Sequence, residues 1–337
     1  MSGTSIDWRP LVEVVNRSRL LVLTTHAAPD GDAVGSEIAL ARHLGRLGRD
    51  VRVVNPSEIE PRLSFIAEGV SVEVYEPSLH DAVLSEADAI FVLDLSQWGL
   101  LGDLAEPIRQ GRARRVVIDH HGSPSDLGEI AAIDPTASST GELVHDFLLA
   151  LGGEIDGPTA ACLFAAVATD TGWFRFQRTG PEVFLAAAEL MTKGVHPYSL
   201  YSRLYEAREW KKLLAIREAL DRVEPRLGGQ AAFLTLDRSA FERVAPDSLD
   251  TEALLDFGLS VREVEVSALL RDAGPGKTKV HLRSKGRVDV RQVAARLGGG
   301  GHHNAAGAVI ELPLQAAAAA LERELAPMLL ALRDSSA

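Results

Sequence analysis

The chain has 337 residues, of which 46% are hydrophobic and 24% are charged, and its net charge is −12. This length allows two domains, because single hydrophobic cores stop growing at roughly 250–300 residues. The acidic charge disfavours tight, sequence-independent binding to long nucleic acids. No apolar run approaches the ~18 residues that span a bilayer, and no signal peptide is visible. The single cysteine, Cys162, lies in an apolar run and excludes an intrachain disulfide framework, so we expect a cytoplasmic protein.

Strand-like and helical patterns alternate through the first half of the chain. This alternation predicts an α/β fold with a doubly wound, mainly parallel sheet covered by helices on both faces. The predicted strands are 20–24, 51–54, 72–75, 89–95 and 115–119, and the predicted helices lie near 33–48, 79–86, 98–110, 138–151 and 157–170.

The pattern changes after Gly180, where residues 181–222 are almost entirely helical. Strand-like pieces resume in QAAFLTL, EVEVSALLR and TKVHLRS, followed by a glycine-rich turn and an Ala/Leu-rich helix at 314–333. We therefore expect a catalytic domain at 1–185, a helical connector at 186–222 and a smaller α+β domain at 223–337.

Residues 262–296 contain nine Lys/Arg against four Asp/Glu, although the chain as a whole is acidic. A basic segment inside an acidic protein indicates either a focused anion site or a solvated face of a helix and hairpin. Charge alone does not separate the two interpretations.

Acidic and imidazole side chains gather where predicted strands and helices end. His26, Asp30 and Asp32 follow the first strand, Asp94 ends another, and Asp170 ends an apolar helix. Asp119, His120 and His121 end a third strand, and the carboxyl ends of parallel strands lie at one edge of a sheet. Each residue alone fits a helix cap, a turn or a buried imidazole. Together, without an adjacent Lys or Arg, they predict a metal site.

Carboxylate oxygens with a minority of imidazoles, and no thiolate, favour Mn²⁺ or Mg²⁺ over structural Zn²⁺. Two histidines and four aspartates are more ligands than one ion needs, and a carboxylate can bridge two ions. A pair of ions about 3.5–4 Å apart makes hydroxide available at neutral pH and neutralises phosphoryl oxygens. The pattern therefore predicts phosphoester hydrolysis.

The ordered motifs resemble those of the DHH phosphoesterases almost from end to end. HAAPDGDAVGS, the strand that ends at Asp94, and Asp119-His120-His121 are similar to the first motifs of the family. TASSTGELV and ATDTGWFRF are similar to the next two, although Ser138, Ser139 and Thr140 are sufficiently explained as a helix N-cap. LRSKG and GGGGHHNAAG resemble the phosphate-binding elements of the DHH-associated C-terminal domain.

The resemblance implies two Mn²⁺ ions, with Mg²⁺ or Co²⁺ as substitutes. One ion would be held by His26, Asp30 and Asp94, and the other by Asp32, Asp94, His120 and Asp170. Asp119 would then orient an imidazole, and His121 would contact the scissile phosphate.

In the C-terminal domain the glycine run can bring backbone N–H groups close to an anion. Arg271, Arg283 and Lys285 would complete a phosphate cradle with this run. The expected substrate-binding residues of the turn are Gly299, Gly300, Gly301 and His302. The role of His303 stays open. Trp173 and Phe174 could stack on a base, but core packing explains them better.

The length of the chain and its two-domain organisation look most similar to those of the nano-RNase branch of the family. This implies hydrolysis of short oligoribonucleotides or linear dinucleotides to mononucleotides, with 3′-phosphoadenosine 5′-phosphate as a second substrate. The alternatives are a cyclic-dinucleotide phosphodiesterase and an exopolyphosphatase- or pyrophosphatase-like hydrolase, and a non-enzymatic nucleotide or RNA binder is the least favoured. We expect no binding to long DNA or membranes, and a homodimer is left open.

Overall fold

The apolar runs predicted as strands in the first half pair side by side in the computed structural model. The structure describes residues 6–122, 126–207, 209–243, 251–301 and 303–334. The chain divides into two units, Met1–Ala207 and Arg208–Ala337. No helix in the described ranges is both long and apolar enough to cross a bilayer.

The described part of the first unit contains a six-stranded sheet in the order β3-β2-β1-β4-β5-β6, and every pair is parallel. The strands are β1 (Leu20–Thr24), β2 (Asp50–Asn55), β3 (Val72–Val74), β4 (Ala89–Leu93), β5 (Arg114–Asp119) and β6 (Ile130–Ile133). The strand order reverses between β1 and β4. In such sheets the carboxyl ends of the strands open a crevice at this switch point.

Helices cover both faces of this sheet, and the predicted fold class is confirmed. Leu21 and Leu23 of β1 lie in one core with α2, α5 and α6, whereas Val22 lies in a second core with α3 and α4. The helices of the first unit are α1 (Arg9–Arg17), α2 (Gly31–Arg46), α3 (Pro77–Glu86), α4 (Ala105–Gln110), α5 (Thr140–Leu151), α6 (Gly157–Asp170), α7 (Pro181–Thr192) and α8 (Pro197–Tyr205).

Helices α2 and α6 approach closely because α2 carries glycine at the contact. A Cβ atom on Gly35 would lie 2.6 Å from the carbonyl oxygen of Cys162, closer than real Cβ contacts allow. The apolar setting of Cys162 is confirmed, since its thiol is buried in this interface and burial raises its pKa to about 11. The thiol is therefore a packing group and not a nucleophile.

The second unit contains a mixed six-stranded sheet in the order β11-β12-β10-β9-β8-β7 among its described residues. Helices α12 and α13 bury apolar residues of one face, such as Val280 and Leu282, whereas α9, α10 and α11 cover Leu234 and Leu269 on the other. The elements are α9 (Trp210–Leu220), β7 (Val223–Arg226), β8 (Ala231–Leu236), α10 (Arg238–Arg243), α11 (Thr251–Leu259), β9 (Val266–Asp272), β10 (Thr278–Ser284), α12 (Val290–Arg296), β11 (Gly300–Gly301), β12 (Ala305–Ile310) and α13 (Leu314–Asp334).

Several short elements escape the sequence patterns. β6 and β7 are four-residue strands at sheet edges, and α1, α10, α11 and α12 are short helices. The predicted glycine-rich turn contains β11 and β12. Because β12 pairs with β10 and β11 pairs with β12, the sheet extends through this segment. The predicted helix near 98–110 was wrong as one helix: Gly102 has φ of +53°, which separates a 3₁₀ turn from α4.

The residues predicted as a connector form α7, α8 and α9. α7 and α8 belong to the first unit and α9 to the second. The division at 1–185, 186–222 and 223–337 stays a prediction.

Two glycines of α2 provide a matched test of the helix contact. Gly35→Ala places a methyl group against the α6 backbone and should destabilise the protein by about 1–3 kcal/mol. Gly45→Ala, on the same helix, meets no atom within 4 Å and should be neutral or stabilising by about 0.5–1 kcal/mol. Urea unfolding of both variants measures this difference, and equal effects would contradict the close contact.

Candidate metal centre and anion-binding face

The turn between β1 and α2 places three predicted ligands at the carboxyl edge of the sheet. Asp30 is the N-cap of α2, and its Oδ1 accepts hydrogen bonds from the N–H groups of Asp32 (3.0 Å) and Ala33 (3.1 Å). Asp32, in the first turn of the helix, is only 1% exposed. The cap therefore starts the helix at the position that buries the Asp32 carboxylate beside the β1 edge.

Asp94 follows β4 directly, across the switch point from His26. Its φ of +61° is unusual for a residue other than glycine, and its N–H donates to the carbonyl of Ile118 (3.0 Å). This conformation turns a side chain that is only 3% exposed towards the sheet edge. The Asp94 Oδ2 lies 3.7 Å from the His26 Nε2, and its Oδ1 lies 3.6 Å from the His120 Nε2. One carboxylate thus stands between imidazoles from two loops.

Asp119 ends β5 and holds the neighbouring His121. The Asp119 Oδ1 accepts from the His121 Nδ1 (2.6 Å) and from the His121 backbone N–H (3.1 Å), and its Oδ2 accepts from the hydroxyl of Ser96. The His120 ring turns the other way, and its Nε2 lies 3.5 Å from an oxygen of Asp170 and 3.8 Å from one of Asp32.

The structure brings all six predicted metal ligands together with His121. Their atoms form three overlapping groups, within each of which the candidate ligand atoms lie no more than 4.8 Å apart. The groups are His26, Asp30 and Asp94; Asp32, His120 and Asp170; and Asp94, His120 and His121. The nitrogen-to-oxygen gaps of 3.5–3.8 Å exceed hydrogen-bond length. Neighbouring ligands around a common cation are separated in this way, so the cluster could hold divalent ions.

The electrostatics of the cluster also fit cations. Burial, followed by the charges of neighbouring aspartates, raises the pKa of both Asp32 and Asp94 well above the usual range. Burial and the charge of His121 lower the pKa of His120 to about 4, so this imidazole is neutral. Buried carboxylates that repel one another beside a neutral imidazole form a donor set that a divalent cation stabilises.

His121 has the opposite electrostatic setting from His120. Burial lowers its pKa, but the hydrogen bond that His121 donates to Asp119 and the charges of Asp94, Asp119 and Asp170 outweigh this effect. The result is a pKa raised to about 9. His121 therefore carries a proton at neutral pH and offers a positive charge beside the cluster.

The start of α5 supplies contacts that sequence reasoning missed. Ser139 is confirmed as the N-cap, since its hydroxyl accepts from the N–H of Glu142. Beyond capping, the N–H groups of Thr140 (2.7 Å) and Gly141 (2.8 Å) donate to the two oxygens of Asp32. The Thr140 hydroxyl donates to the Asp94 Oδ1 at 2.9 Å. The positive end of α5 thus stabilises both buried carboxylates.

A second unpredicted contact lies behind the β1 turn. The Asn55 Oδ1 accepts from the N–H of Thr25 (3.1 Å), and its Nδ2 donates to the Glu37 Oε2 (2.8 Å). Glu37 is fully buried, and burial raises its pKa to about 8 against the ordinary 4.5. This pair fixes the end of β1 one residue before His26. No sequence signal marks it, because Glu37 and Asn55 lie on different elements.

The aromatic pair after Asp170 packs inside the first unit. Trp173 and Phe174 both have positive φ, and both lie against the core. The Trp173 ring contacts Tyr201 at 5.0 Å between centroids, and Phe174 stacks on Phe184 at 5.5 Å. Core packing explains both rings.

In the second unit, residues of basic types alternate along β10. Lys279, His281 and Arg283 occupy every second position, and the register places Arg271 of β9 opposite Lys279. Burial, followed by the charges of Lys279 and Arg271, lowers the pKa of His281 to about 4. In the next strands Gly307 lies opposite His281, and Gly300 lies opposite Gly307. This candidate anion-binding face (Arg271, Lys279, His281, Arg283, Gly300 and Gly307) is partly exposed, and its cations are Arg271, Lys279 and Arg283.

Lys285, a predicted substrate-binding residue, and His303, whose role the sequence left open, both have structural contacts. The Lys285 Nζ donates to the carbonyls of Val261 (2.7 Å) and Arg262 (3.2 Å). His303 contacts the carbonyl of Gly286 at 2.9 Å.

The glycine run is shaped by backbone contact. A Cβ on Gly299 would lie 2.0 Å from the Gly307 oxygen, so close strand approach requires glycine there. Gly301, with φ of +137°, pairs with Ala306. The predicted contact of His302 falls outside the described residues.

Thr140→Val should lower the affinity of the protein for Mn²⁺ by about 10–100-fold. The change removes the hydroxyl that holds Asp94 but keeps the backbone N–H to Asp32 and the shape of the side chain. Calorimetric titration of Mn²⁺ measures the effect. Thr140→Ser retains the hydroxyl and should bind as the wild type does; equal affinity of the valine variant would exclude this role of Thr140.

Glu37→Gln should alter how stability depends on pH. Between its ordinary pKa of 4.5 and about 8, Glu37 keeps a proton in the folded chain that the unfolded chain releases. Wild-type stability should therefore fall as pH rises through this range, by up to about 1.4 kcal/mol per pH unit from this group. The Glu37→Gln variant lacks this titrating carboxyl group. Its stability relative to the wild type should therefore increase as the pH rises through this range.

The comparison uses urea unfolding of both proteins at several pH values with EDTA present. Other titrating groups contribute equally to both proteins, so the difference isolates Glu37. Parallel curves would show that Glu37 has an ordinary pKa.

Comparison with known proteins supports one family. Residues 21–169 match the model of the DHH family N-terminal domain, and residues 242–326 match the DHHA1 domain. The chain is 32% identical to the bifunctional oligoribonuclease and PAP phosphatase NrnA of Thermus thermophilus, over 86% of this chain and 84% of that protein. It is 24% identical to the NrnA of Bacillus subtilis, over 89% and 92%.

A solved structure is similar over nearly the whole chain. The exopolyphosphatase-related protein from Bacteroides fragilis superposes with a TM-score of 0.90 at 26% identity, covering 96% of this chain and 97% of that one. The family models cover more than half of the chain, and both domains appear in the order that the motifs predict. The chain therefore belongs to the DHH family, with a DHHA1 domain in its second unit, and it is a hydrolase of phosphoester bonds.

Proposed function

We propose that the chain is a Mn²⁺-dependent phosphoesterase that hydrolyses short oligoribonucleotides and linear dinucleotides to mononucleotides. We include 3′-phosphoadenosine 5′-phosphate as a second substrate, which is converted to AMP. The main support is the shared position of Asp94, whose two oxygens face imidazoles from different loops. Both activities are named in the NrnA relatives.

In this proposal the chain holds two divalent ions at the switch point. His26, Asp30 and Asp94 bind one ion, and Asp32, Asp94, His120 and Asp170 bind the other, as the grouping of their atoms supports. The mixed oxygen and imidazole donors favour Mn²⁺, with Mg²⁺ or Co²⁺ as substitutes. Bound ions supply Lewis acidity towards phosphoryl oxygens and lower the pKa of water.

His121 and Asp119 act on the scissile group. Protonated His121 donates to a phosphoryl oxygen or to the leaving oxygen, where negative charge develops during P–O cleavage. Asp119 keeps the ring oriented through its 2.6 Å contact with the Nδ1, so the Nε2 is the atom directed towards substrate. The hydrogen bond to Asp119 raises the pKa of His121, which favours the acid form of the ring.

The second unit binds the anionic groups of the substrate through the partly exposed sheet face that carries Arg271 and Arg283. Arg271, Arg283 and the backbone of Gly300 and Gly301 form this surface, and we assign His302 to it from the sequence motif. Gly299 contributes by permitting the close strand approach, and Lys285 by holding the chain near Val261. The net charge of −12 disfavours long nucleic acid, so short substrates are preferred.

Polyphosphate hydrolysis is a second candidate. It is favoured by the name of the similar Bacteroides protein, which is described as exopolyphosphatase-related. This reaction uses the same metal centre and needs no contact with a base, so substrate comparison separates the two.

A substrate panel with the full-length protein tests the proposal. We expect Mn²⁺-dependent release of mononucleotides from a diribonucleotide, slower cleavage of long RNA, and release of AMP from 3′-phosphoadenosine 5′-phosphate. EDTA should abolish all three reactions. Faster turnover of polyphosphate, pyrophosphate or a cyclic dinucleotide would contradict the substrate assignment.

Asp94→Asn tests the shared carboxylate. Activity should fall by more than the roughly 10–100-fold that follows loss of an outer contact at metal sites, since both ions would lose a ligand. Asp103→Asn, a change of the same kind at an exposed residue, should have no effect. An active Asp94→Asn variant would refute the bridging role.

A further inference from the structure

A cleft of about 480 Å³ lies on the first unit, lined by four arginines in an otherwise acidic protein. Arg42 and Arg46 come from the last turns of α2, Arg49 comes from the turn before β2, and Arg52 comes from β2 itself. Glu73 and Asp156 complete the charged lining. We refer to this site as the arginine cleft.

The arginine cleft is separate from the candidate metal centre. Asp30 caps the first turn of α2, whereas the cleft lies at its other end, and the 16-residue helix spans about 24 Å. Along β2 the offset is in the same direction but shorter, since Arg52 lies about 10 Å before Asn55, the residue that contacts Thr25. A ligand in the cleft therefore lies too far from Asp94 to be the reacting group.

Two of the four arginines are neutralised. Arg46 pairs with Asp156 and Arg52 pairs with Glu73, each at 2.6 Å. Arg42 and Arg49 instead donate to the backbone carbonyls of Glu68 and Ser18, and neither forms an ion pair with any residue that the structure describes. The charged lining thus carries two more positive than negative groups.

Unused hydrogen-bond donors accompany this excess charge. The Nε atoms of Arg42 and Arg49 are both buried, and both lack an acceptor in the described part of the chain. The negative end of α2 explains why cations gather here, but it supplies no acceptor for these two donors. These two atoms are closed to solvent, so an anion in the cleft would not reach them. It would instead pair with the positive charge of the two guanidinium groups, neither of which has a carboxylate partner among the described residues.

The size and remaining lining of the cleft indicate which anion fits. Ala41, Val51 and Val70 add an apolar part to the lining. The volume falls within the roughly 300–1,000 Å³ of small-molecule sites and exceeds what a lone phosphate needs. We propose that the arginine cleft binds a nucleoside phosphate, with the phosphate on Arg42 and Arg49 and the base against the apolar lining. This site is independent of the phosphoesterase activity.

Equilibrium dialysis with AMP, in EDTA and at low salt, tests the proposal on the full-length protein. EDTA removes divalent ions, so the metal centre does not retain phosphate. We expect saturable AMP binding, with the affinity weakened at least about tenfold in Arg42→Gln and Arg49→Gln. Inorganic phosphate should bind more weakly than AMP. Equal binding of both would overturn the nucleoside assignment.

Matched variants locate the bound AMP. Arg109→Gln removes an exposed arginine that lies over the Trp98 ring, and Arg238→Gln removes an exposed arginine of the second unit that has no role in the proposed substrate site. Both should bind AMP as the wild type does. No saturable binding to the wild type, or binding weakened equally in Arg238→Gln, would refute the arginine cleft as the site.

A conservative variant and a chemical-modification experiment test the proposal if an Arg→Gln change prevents folding. Arg42→Lys keeps the charge but loses the planar donors, so it should weaken AMP binding while retaining the fold. Arginine modification by phenylglyoxal, mapped by mass spectrometry, needs no variant. AMP should protect Arg42 and Arg49 in the wild type, and unchanged modification at both would overturn the proposal.

Discussion

The confinement of several carboxylates at one sheet edge is the constraint on which this structure depends. Asp32 and Asp94 are almost completely buried, and burial together with neighbouring charges opposes their ionisation. Three kinds of group stabilise the carboxylates: backbone N–H donors from α5, the hydroxyl of Thr140 and the positive charge of His121. These groups hold the geometry, and the remaining negative charge creates the demand for cations.

The packing of the first unit follows from the same constraint. Asp32 meets the α5 N-terminus only if α2, α5 and α6 lie close together. Small residues allow this: Cβ atoms on Gly31, Gly35 or Gly141 would collide with α6. The parallel sheet positions His26 and Asp94. Its strand order reverses between β1 and β4, which opens the edge where these two residues face each other. Glycine placement and strand order thus have direct consequences for the site.

Positive charge is distributed differently in the two units. In the second unit most cations of the basic segment are tied to acids or carbonyls, as Arg287 is to Glu265, and Lys279, His281 and Arg283 share one partly exposed face. The pairs with acids fit the interpretation as a solvated face, and the anion site stays a prediction. In the first unit the arginine cleft concentrates charge away from the metal centre. An acidic protein that handles anionic molecules needs such local fields, because its net charge repels them.

The sequence by itself determined the parallel sheet and the six candidate ligands. Apolar periodicity is local, and Asp or His residues at strand ends converge whenever the strands are parallel. Only the tertiary structure decided that Thr140 touches Asp94, that Asn55 joins Glu37 to the β1 turn, and that Lys285 binds backbone carbonyls. These contacts join residues far apart in the chain. Their existence depends on helix packing and strand register, which no local pattern of residues encodes.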